Sequence, residues 1–533
     1  MKQHYLLAIL AWLLIALGIG LRLDQYLFNR SLWLDEAFFA VNFLHRDIWT
    51  VLQLPLDYSH SHIAPPAFML ITQLSIEMFG NFDYILRLYP LVCGVLSVIA
   101  FYFLARITVS PLAVPVAVFL FAISDTLIIY SSDFKQYSSD VLTTIVLLWL
   151  AVSWQQLDLT KSRAILLTIL GVVIVWFSHS AVLVLATISS YWGLQLLYQR
   201  NWQQLSIFIF VGIAWLISAI TMYKFVSNGG VVSSPIGEWL LAFWDQVIRG
   251  FMPNPLTTAG QQWLFEKLTG AFNYPANLGQ TVTATYVPAM LFVFGCLILF
   301  VKKRQLLYLS LVPILLTLVL SYLHAYPFAD RLILFLLPIF YLVIAEAIAQ
   351  IKFSVTDYPD YMQRWTTYAF QIGLIFVLVY PLNSVSEKYQ KQEIKPLMQY
   401  LAQHGKQDKL YLFHWAEPAF RYYAPQYGFD YGACHLISPI SVHEFTKEVD
   451  YFRQKNAMQP VNVNETSCIL GTSELFHKSL ADLQQLKGQG RVWFLFAHHF
   501  WREKDAFLAY LDEIGTRLDS QYQYGTELYL YKL

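Results

Sequence analysis

The sequence predicts a polytopic α-helical membrane protein of about eleven transmembrane helices, followed by an α/β domain outside the membrane. Three observations carry this. Of 533 residues, 57% are hydrophobic and 13% charged, about half the charged fraction of a soluble domain. Apolar runs near the roughly 20-residue spanning length recur along the first 380 or so residues. Beyond position 383 the composition turns polar and alternating.

The apolar runs fall at 5–21, 88–105, 111–130, 141–154, 164–177, 181–198, 205–225, 286–301, 306–323, 332–351 and 365–381. The first follows "MKQH" and reads as an uncleaved span. Lys/Arg bias in short connections sets orientation. Lys2, Arg106, Lys161, Arg163, Arg200, Lys302, Lys303, Arg304, Lys352 and Arg364 fall on one side, which is therefore cytoplasmic. The opposite connections carry little beyond Lys135, with Arg87 and Arg331 at span edges. An odd number of spans places residues 384–533 outside. The expected setting is the plasma (inner) membrane, crossed many times, with a membrane domain over 1–383 and long outer loops at 22–87 and 226–285.

The outer loops hold the polar chemistry. In "SLWLDEAFF", Trp33, Ala37, Ala40, Val41 and Leu44 form one helical stripe, which predicts an interfacial helix with Asp35 facing away from it. Neighbours on a helix do not share a face, so Asp35 and Glu36 are expected to do different work. The plainer reading is that both acids complement the helix dipole behind Ser31 as N-cap. A second helix starts at Pro65-Pro66, too short to span, with His60 and His62 before it in "SHSHIAPP". "YSSDFKQYSSD" brings Lys135, Tyr137 and Asp140 to one loop; Lys135 is either a snorkelling lysine or a cation aimed at a phosphate. His179 and His324 fall on the same side. "GEWLLAFWDQVIRGF" reads as an aromatic interfacial helix, and "HAYPFADRLILFLLP" sets Arg331 at the mouth of a span.

After position 383, "KPLMQYLAQHG" reads as a helix ended by Gly405. "KLYLFH", "RVWFLFAHH" and "TELYLYKL" read as strands, and "SVHEFTKEVDYFRQK" and "REKDAFLAYLDEIGTRL" as helices. Of the four cysteines, Cys434 and Cys468 fall in the polar part and could pair in an oxidising compartment; no Cys/His spacing resembles a zinc site. Asn464 opens a sequon. Net charge is zero, and no basic patch suggests nucleic acid as a partner.

Taken in order, these segments resemble the GT-C superfamily of membrane glycosyltransferases, in particular glycosyltransferase family 39, with its protein O-mannosyltransferases, lipid A aminoarabinose transferases and rhizobial lipopolysaccharide transferases. The likeness rests on "LWLDEAFFAV", on "HIAPPAFMLITQLSIEMFGNFDYILRLYPLVCGVL", on "IIYSSDFKQYSSDVL" and on "DRLILFLLP", and scarcely touches the last 150 residues. Lys135 stands where arginine is usual, Leu332 where tyrosine is common, and Ile63 and Ala64 separate His62 from the prolines. The resemblance implies a GT-C-like fold and transfer of a hexosyl or pentosyl group from a polyprenyl-phosphate donor to a hydroxyl, with inversion. It implies Asp35 as catalytic base, Glu36 at the second acidic position, and Lys135, Arg331 and Tyr137 at the donor phosphate. His60, His62, Asp140, His179 and His324 are further candidates. No cofactor is certain; a divalent cation held by Glu36 and His62 is an alternative electrophile. The acceptor would be a glycolipid, a polysaccharide or a protein. The main rival is a lipid or polysaccharide flippase, which would carry ionisable groups deep in several spans; Asp125 and Glu346 are the two on offer. A non-catalytic scaffold is the third reading.

Overall fold

The computed structural model describes residues 2–52, 56, 57, 64–154, 159–227, 242–352, 359–380, 388–436, 467–471, 483–498 and 503–533. Helix covers each of the eleven apolar runs: α1 (Lys2–Leu27), then, beyond the two short helices α2 (Leu34–Ala40) and α3 (Pro66–Phe79), α4 (Leu88–Thr108), α5 (Ala113–Ala122) with α6 (Asp125–Tyr130), α7 (Tyr137–Ser153), α8 (Lys161–Ile174), α9 (Ala181–Tyr198) and α10 (Trp202–Ser227). After α11 (Thr258–Asn273) follow α12 (Val287–Lys302), α13 (Arg304–Tyr322), α14 (Leu337–Gln350) and α15 (Asp360–Val379). Among the described residues, six helices are long and apolar enough to cross a membrane: Tyr5–Leu27, Leu88–Thr108, Ala181–Tyr198, Trp202–Val226, Arg304–Tyr322 and Asp330–Gln350.

The run at 111–130 is not one helix. It breaks between α5 and α6, and the carbonyls exposed at the break need partners in a dry interior. Arg22 supplies them: its guanidinium donates to the carbonyls of Ala122 (3.1 Å) and Phe121 (3.3 Å). Tyr341 seals the other side: its hydroxyl donates to the carbonyl of Ala276 at 2.9 Å and lies 2.9 Å from Ser124 Oγ, from which it can accept. The helix bearing Tyr341 is the centre of the bundle. Of an 18-residue apolar window within Asp330–Gln350, 94% is buried, against 22% for the window in Tyr5–Leu27 and 28% for that in Trp202–Val226, whose exposed Leu, Ile and Phe side chains suit hydrocarbon.

The two helices expected in the first long connection are present, but α2 is not interfacial. Leu34, Ala37, Phe38, Phe39 and Ala40 are all buried, and so are Val41 and Phe43 in the 3-10 turn that continues it. Phe39 stacks on Phe68 of α3 (5.9 Å) and on Phe134 (5.0 Å). Apolar side chains on every side of a helix mean burial in protein, and the cover comes from the C-terminal part of the chain. Of "GEWLLAFWDQVIRGF", the stretch through residue 241 lies outside the described residues, and Phe243–Val247 forms a single π turn.

The C-terminal part holds α16 (Lys395–His404), α17 (Glu417–Tyr423) and α18 (Glu503–Ile514) around a six-stranded sheet. Its strands are β1 (Lys409–Leu412), β2 (Cys434–Leu436), β3 (Cys468–Leu470), β4 (Arg491–Ala497), β5 (Thr516–Gln523) and β6 (Thr526–Lys532), in the order β2-β3-β1-β4-β6-β5. β2, β3, β1 and β4 run parallel, and β6 returns antiparallel to β4. Alternation of side chains along strands sorts the two faces. Leu410, Leu412, Trp493 and Leu495 join Leu397 and Tyr423 in one core; Tyr411, Phe494 and Phe496 join Phe507 and Leu511 in another. The first core also contains Leu32, Ala37, Phe39 and Phe68, so sheet and first connection share one interior. The tail of "REKDAFLAYLDEIGTRL" leaves the helix at Gly515 and enters β5; the helix expected at 441–455 and the sequon lie outside the described residues.

Cys434 and Cys468 form a disulfide between directly paired positions of β2 and β3; Cys93 and Cys296 are free thiols. The bridge closes a 34-residue separation, and a loop of that size constrains the unfolded chain by about 2–4 kcal/mol. Replacing both cysteines by serine should lower the thermal midpoint of the purified protein and abolish its response to reductant; an unchanged midpoint would deny the bridge that role.

Candidate functional site

Asp35 and Glu36 are adjacent in the first turn of α2 and meet opposite surroundings. The Glu36 side chain is fully buried. Its carboxylate accepts from Arg30 Nη1 (2.5 Å), Arg87 Nε (2.9 Å), Arg87 Nη2 (2.8 Å), the Phe134 amide (2.7 Å) and the Trp33 amide (3.3 Å). Five donors saturate the roughly four lone-pair directions of a carboxylate. Burial opposes its ionisation, but Arg30 and Arg87 outweigh it and hold its pKa well below the usual carboxylate range. The catalytic and metal-holding roles expected of Glu36 therefore do not fit. It is a structural clamp joining the first connection, the entry to α4 and the loop before α7. Arg87 extends the clamp by donating to the Arg30 carbonyl at 2.7 Å, and Arg30 Nη2 and Trp33 Nε1 both donate to Asp133 Oδ1 at 3.1 Å.

The amide N–H groups at the start of α2 are capped from far along the chain. Ser31, expected to be the N-cap, instead donates its amide and hydroxyl to Glu393. Leu32 N–H donates to the Tyr423 hydroxyl (2.8 Å), and Leu34 N–H to Gln392 Oε1 (2.9 Å). Tyr423 in turn donates to Asp83, which also binds Lys395 at 2.9 Å. Helix α2 is thus fixed at its start by the segment leading into α16.

Asp35, 18% exposed, is ion-paired with Arg331, 22% exposed. The Arg331 guanidinium also lies 5.6 Å from the Trp33 ring centroid and 5.7 Å from that of Tyr137. Burial raises the Asp35 pKa, but the charges of Arg331, Lys135 and Lys391 overcome it and hold the group below its ordinary value, so it is ionised at neutral pH. Lys135 Nζ is 5.9 Å from the Phe39 ring, and burial lowers its pKa while Asp35 opposes that. The structure therefore gathers Asp35, Lys135, Tyr137 and Arg331, which the sequence distributes over three segments. A cavity of about 270 Å³ adjoins Arg331 through its neighbour Asp330, with Arg249, Lys267 and Tyr274 in its wall.

Other candidates stand apart. Asp140 accepts from Ser178 Oγ at 2.5 Å; His179 sits in the same Ser178–Ser180 turn. His324 is exposed and stacks on Phe251 with centroids 4.9 Å apart. His60 and His62 lie outside the described residues. Among the described residues no three His, Cys, Asp or Glu gather as a metal site. The acids that a flippase would need in its spans are occupied: Glu346 accepts from the Ser110 amide at 2.6 Å, and Asp125 from Asn277 at 3.2 Å. Sequence reading placed Asp133 beside Lys135 without giving it a role, and missed Arg30 and Lys391. Arg30 directly precedes "SLWLDEAFF", whereas "EKYQKQEIKP" gives Lys391 no distinguishing mark.

Comparison with solved structures places this architecture. The chain is similar to ArnT from Cupriavidus metallidurans bound to undecaprenyl phosphate, at TM-score 0.52 and 11% identity over 97% of both chains. It is similar to the apo state of the same protein at 0.50 and 11%, over 98% of both. The oligosaccharyltransferase AglB from Archaeoglobus fulgidus, in complex with an inhibitory peptide and a dolichol-phosphate, aligns at 0.47 and 11% over 97% of this chain and 74% of that one. No family model and no curated protein matches the sequence. The ArnT likeness shows the fold: this chain shares the architecture of ArnT over nearly its whole length.

Removing the Glu36 charge leaves the buried Arg87 guanidinium without its carboxylate and Arg30 with Asp133 alone. Glu36→Gln should destabilise the protein by about 3–5 kcal/mol, seen as a lower thermal midpoint in detergent. A variant that keeps wild-type stability while losing only turnover would instead restore a direct chemical role to this residue.

Proposed function

We propose that this protein transfers a glycosyl group from a polyprenyl-phosphate-linked sugar to a hydroxyl acceptor at the outer face of the plasma membrane, with Asp35 as general base and inversion at the anomeric carbon. The observation that carries this reading is the position of Asp35: one ionised carboxylate at the rim of a GT-C bundle, paired to Arg331 and within the fields of Lys135 and Lys391. The similarity to ArnT, solved with undecaprenyl phosphate, supports a lipid phosphate as the donor's anchor.

The chemistry follows from charge. The bond between the anomeric carbon and the phosphate oxygen breaks with its electron pair on the phosphate. Fixed cations that meet this growing charge lower the barrier more than they stabilise the donor. Arg331 and Lys135 are the groups for that work. Arg331 is ion-paired with Asp35. A phosphate competing for Arg331 would loosen this pair and leave the carboxylate able to take the proton of the attacking hydroxyl. Donor binding would thereby switch on the base.

The acceptor is a glycolipid, a polysaccharide or a protein presented on the same side. The test is release of free polyprenyl phosphate by the purified protein when lipid-linked sugar and acceptor are supplied. Asp35→Asn should keep expression, insertion and thermal midpoint while turnover falls about 10²–10⁴-fold; near-normal turnover would defeat the assignment. Lys135→Ala should lower kcat at saturating donor more than it raises the donor KM, which a donor titration checks.

A further inference from the structure

Lys391 precedes the two residues that grip α2. Gln392 accepts from the Leu34 amide at 2.9 Å and Glu393 from the Ser31 amide at 3.1 Å, so the backbone at 391 is held against the first connection. From there the lysine reaches over the Trp33 ring, with Nζ 3.2 Å from the centroid and 5.7 Å from that of Tyr389. Among the described residues its ammonium has no hydrogen-bond acceptor and no carboxylate within salt-bridge distance. An aromatic face compensates a desolvated cation only in part. Burial pulls its pKa from the ordinary lysine value to about 8, with Asp133 and Asp35 opposing the fall and Arg331 and Arg30 adding to it. The ammonium is therefore a donor group awaiting an anion beside Asp35 and Arg331.

The donor and the product differ in charge. A glycosyl phosphodiester carries one negative charge. When its glycosyl–oxygen bond breaks, the electron pair remains on the phosphate, the acceptor oxygen bonds to the anomeric carbon, and the acceptor proton passes to Asp35. The phosphate leaves as a monoester that carries a second charge near neutral pH. We propose that Lys391 is a phosphate-binding residue that takes up this second charge as the bond breaks, so that the site holds the phosphomonoester product more tightly than the phosphodiester donor. This rests on the transferase reading above. Lys391 stays protonated throughout and transfers nothing.

The test uses the full chain in detergent micelles, with farnesyl monophosphate and its methyl diester as probes. In wild type the monoester should bind more tightly. Lys391→Met should weaken monoester binding about 10–100-fold, the scale of a charged hydrogen bond, and diester binding by less than about threefold; Lys391→Arg should restore the monoester. Equal losses on both probes, or no loss, overturn the proposal while leaving the transferase reading intact. Failure of wild type to bind either probe overturns both. A second measurement does not depend on the methionine variant folding. Monoester affinity in wild type should fall about tenfold between pH 7 and pH 9.5, as the lysine loses its proton above about 8, whereas Lys391→Arg should fall severalfold less, keeping only the contribution of Lys135, whose pKa burial also lowers. The groups facing this ammonium are Asp133, Asp35, Arg331, Arg30 and Tyr389, all unchanged in the arginine variant. Identical pH profiles would also overturn the proposal.

Discussion

Glu36 is the fixed point of the structure. A carboxylate taken fully out of water survives only when charge and hydrogen bonds replace its hydration, and here two arginines and two backbone amides do so. Because these partners come from three separate parts of the chain, satisfying the one carboxylate registers the first connection against α4 and the loop before α7. Trp33, Lys135 and Asp35 take their positions from that register. Adjacent acids on a short helix thus divide the labour. One is spent on holding the site together, and the other is left at its edge, ionised and reachable.

Burial sorts the charged residues in the same way. Arg22 and Glu346 lie in apolar surroundings and serve as caps, satisfying the backbone where helices break or end. Such groups look functional in a hydropathy profile because intramembrane charge is expensive. Their partners show the alternative: a helix end without water needs a donor or an acceptor, and a long charged side chain is one way to bring it. The charges that face one another without full compensation are those around Asp35.

The helical runs were legible because the period and length of apolar segments leave little choice of structure in lipid, and the short apolar run in "RVWFLFA" and the residue types of "TELYLYK" identified two central strands. The grouping of Asp35, Lys135 and Arg331 was legible from sidedness and motif order. What was not legible depends on long-range satisfaction. Nothing near Glu36 in sequence announces that Arg87 and Phe134 will fill its lone pairs, so it read as chemistry. Nothing in the stripe of α2 reveals that residues near 400 will cover it, so it read as interfacial. Gln392, Glu393 and Lys391 lie in an unremarkable polar stretch, and only folding brings them to the start of α2.

The contact between Gln392 and the Leu34 amide spans 358 residues, which sets an order on biogenesis. When residues 31–40 leave the ribosome they can insert beside the first spans, but the cap of their helix does not yet exist. At about 5–20 residues per second the missing partner arrives roughly 20–70 s later. Until then Asp35 rides on an unfinished turn. A ribosome that stalls midway yields an inserted bundle in which Asp35 is not yet fixed, so the placement of this carboxylate is withheld until the chain is nearly complete.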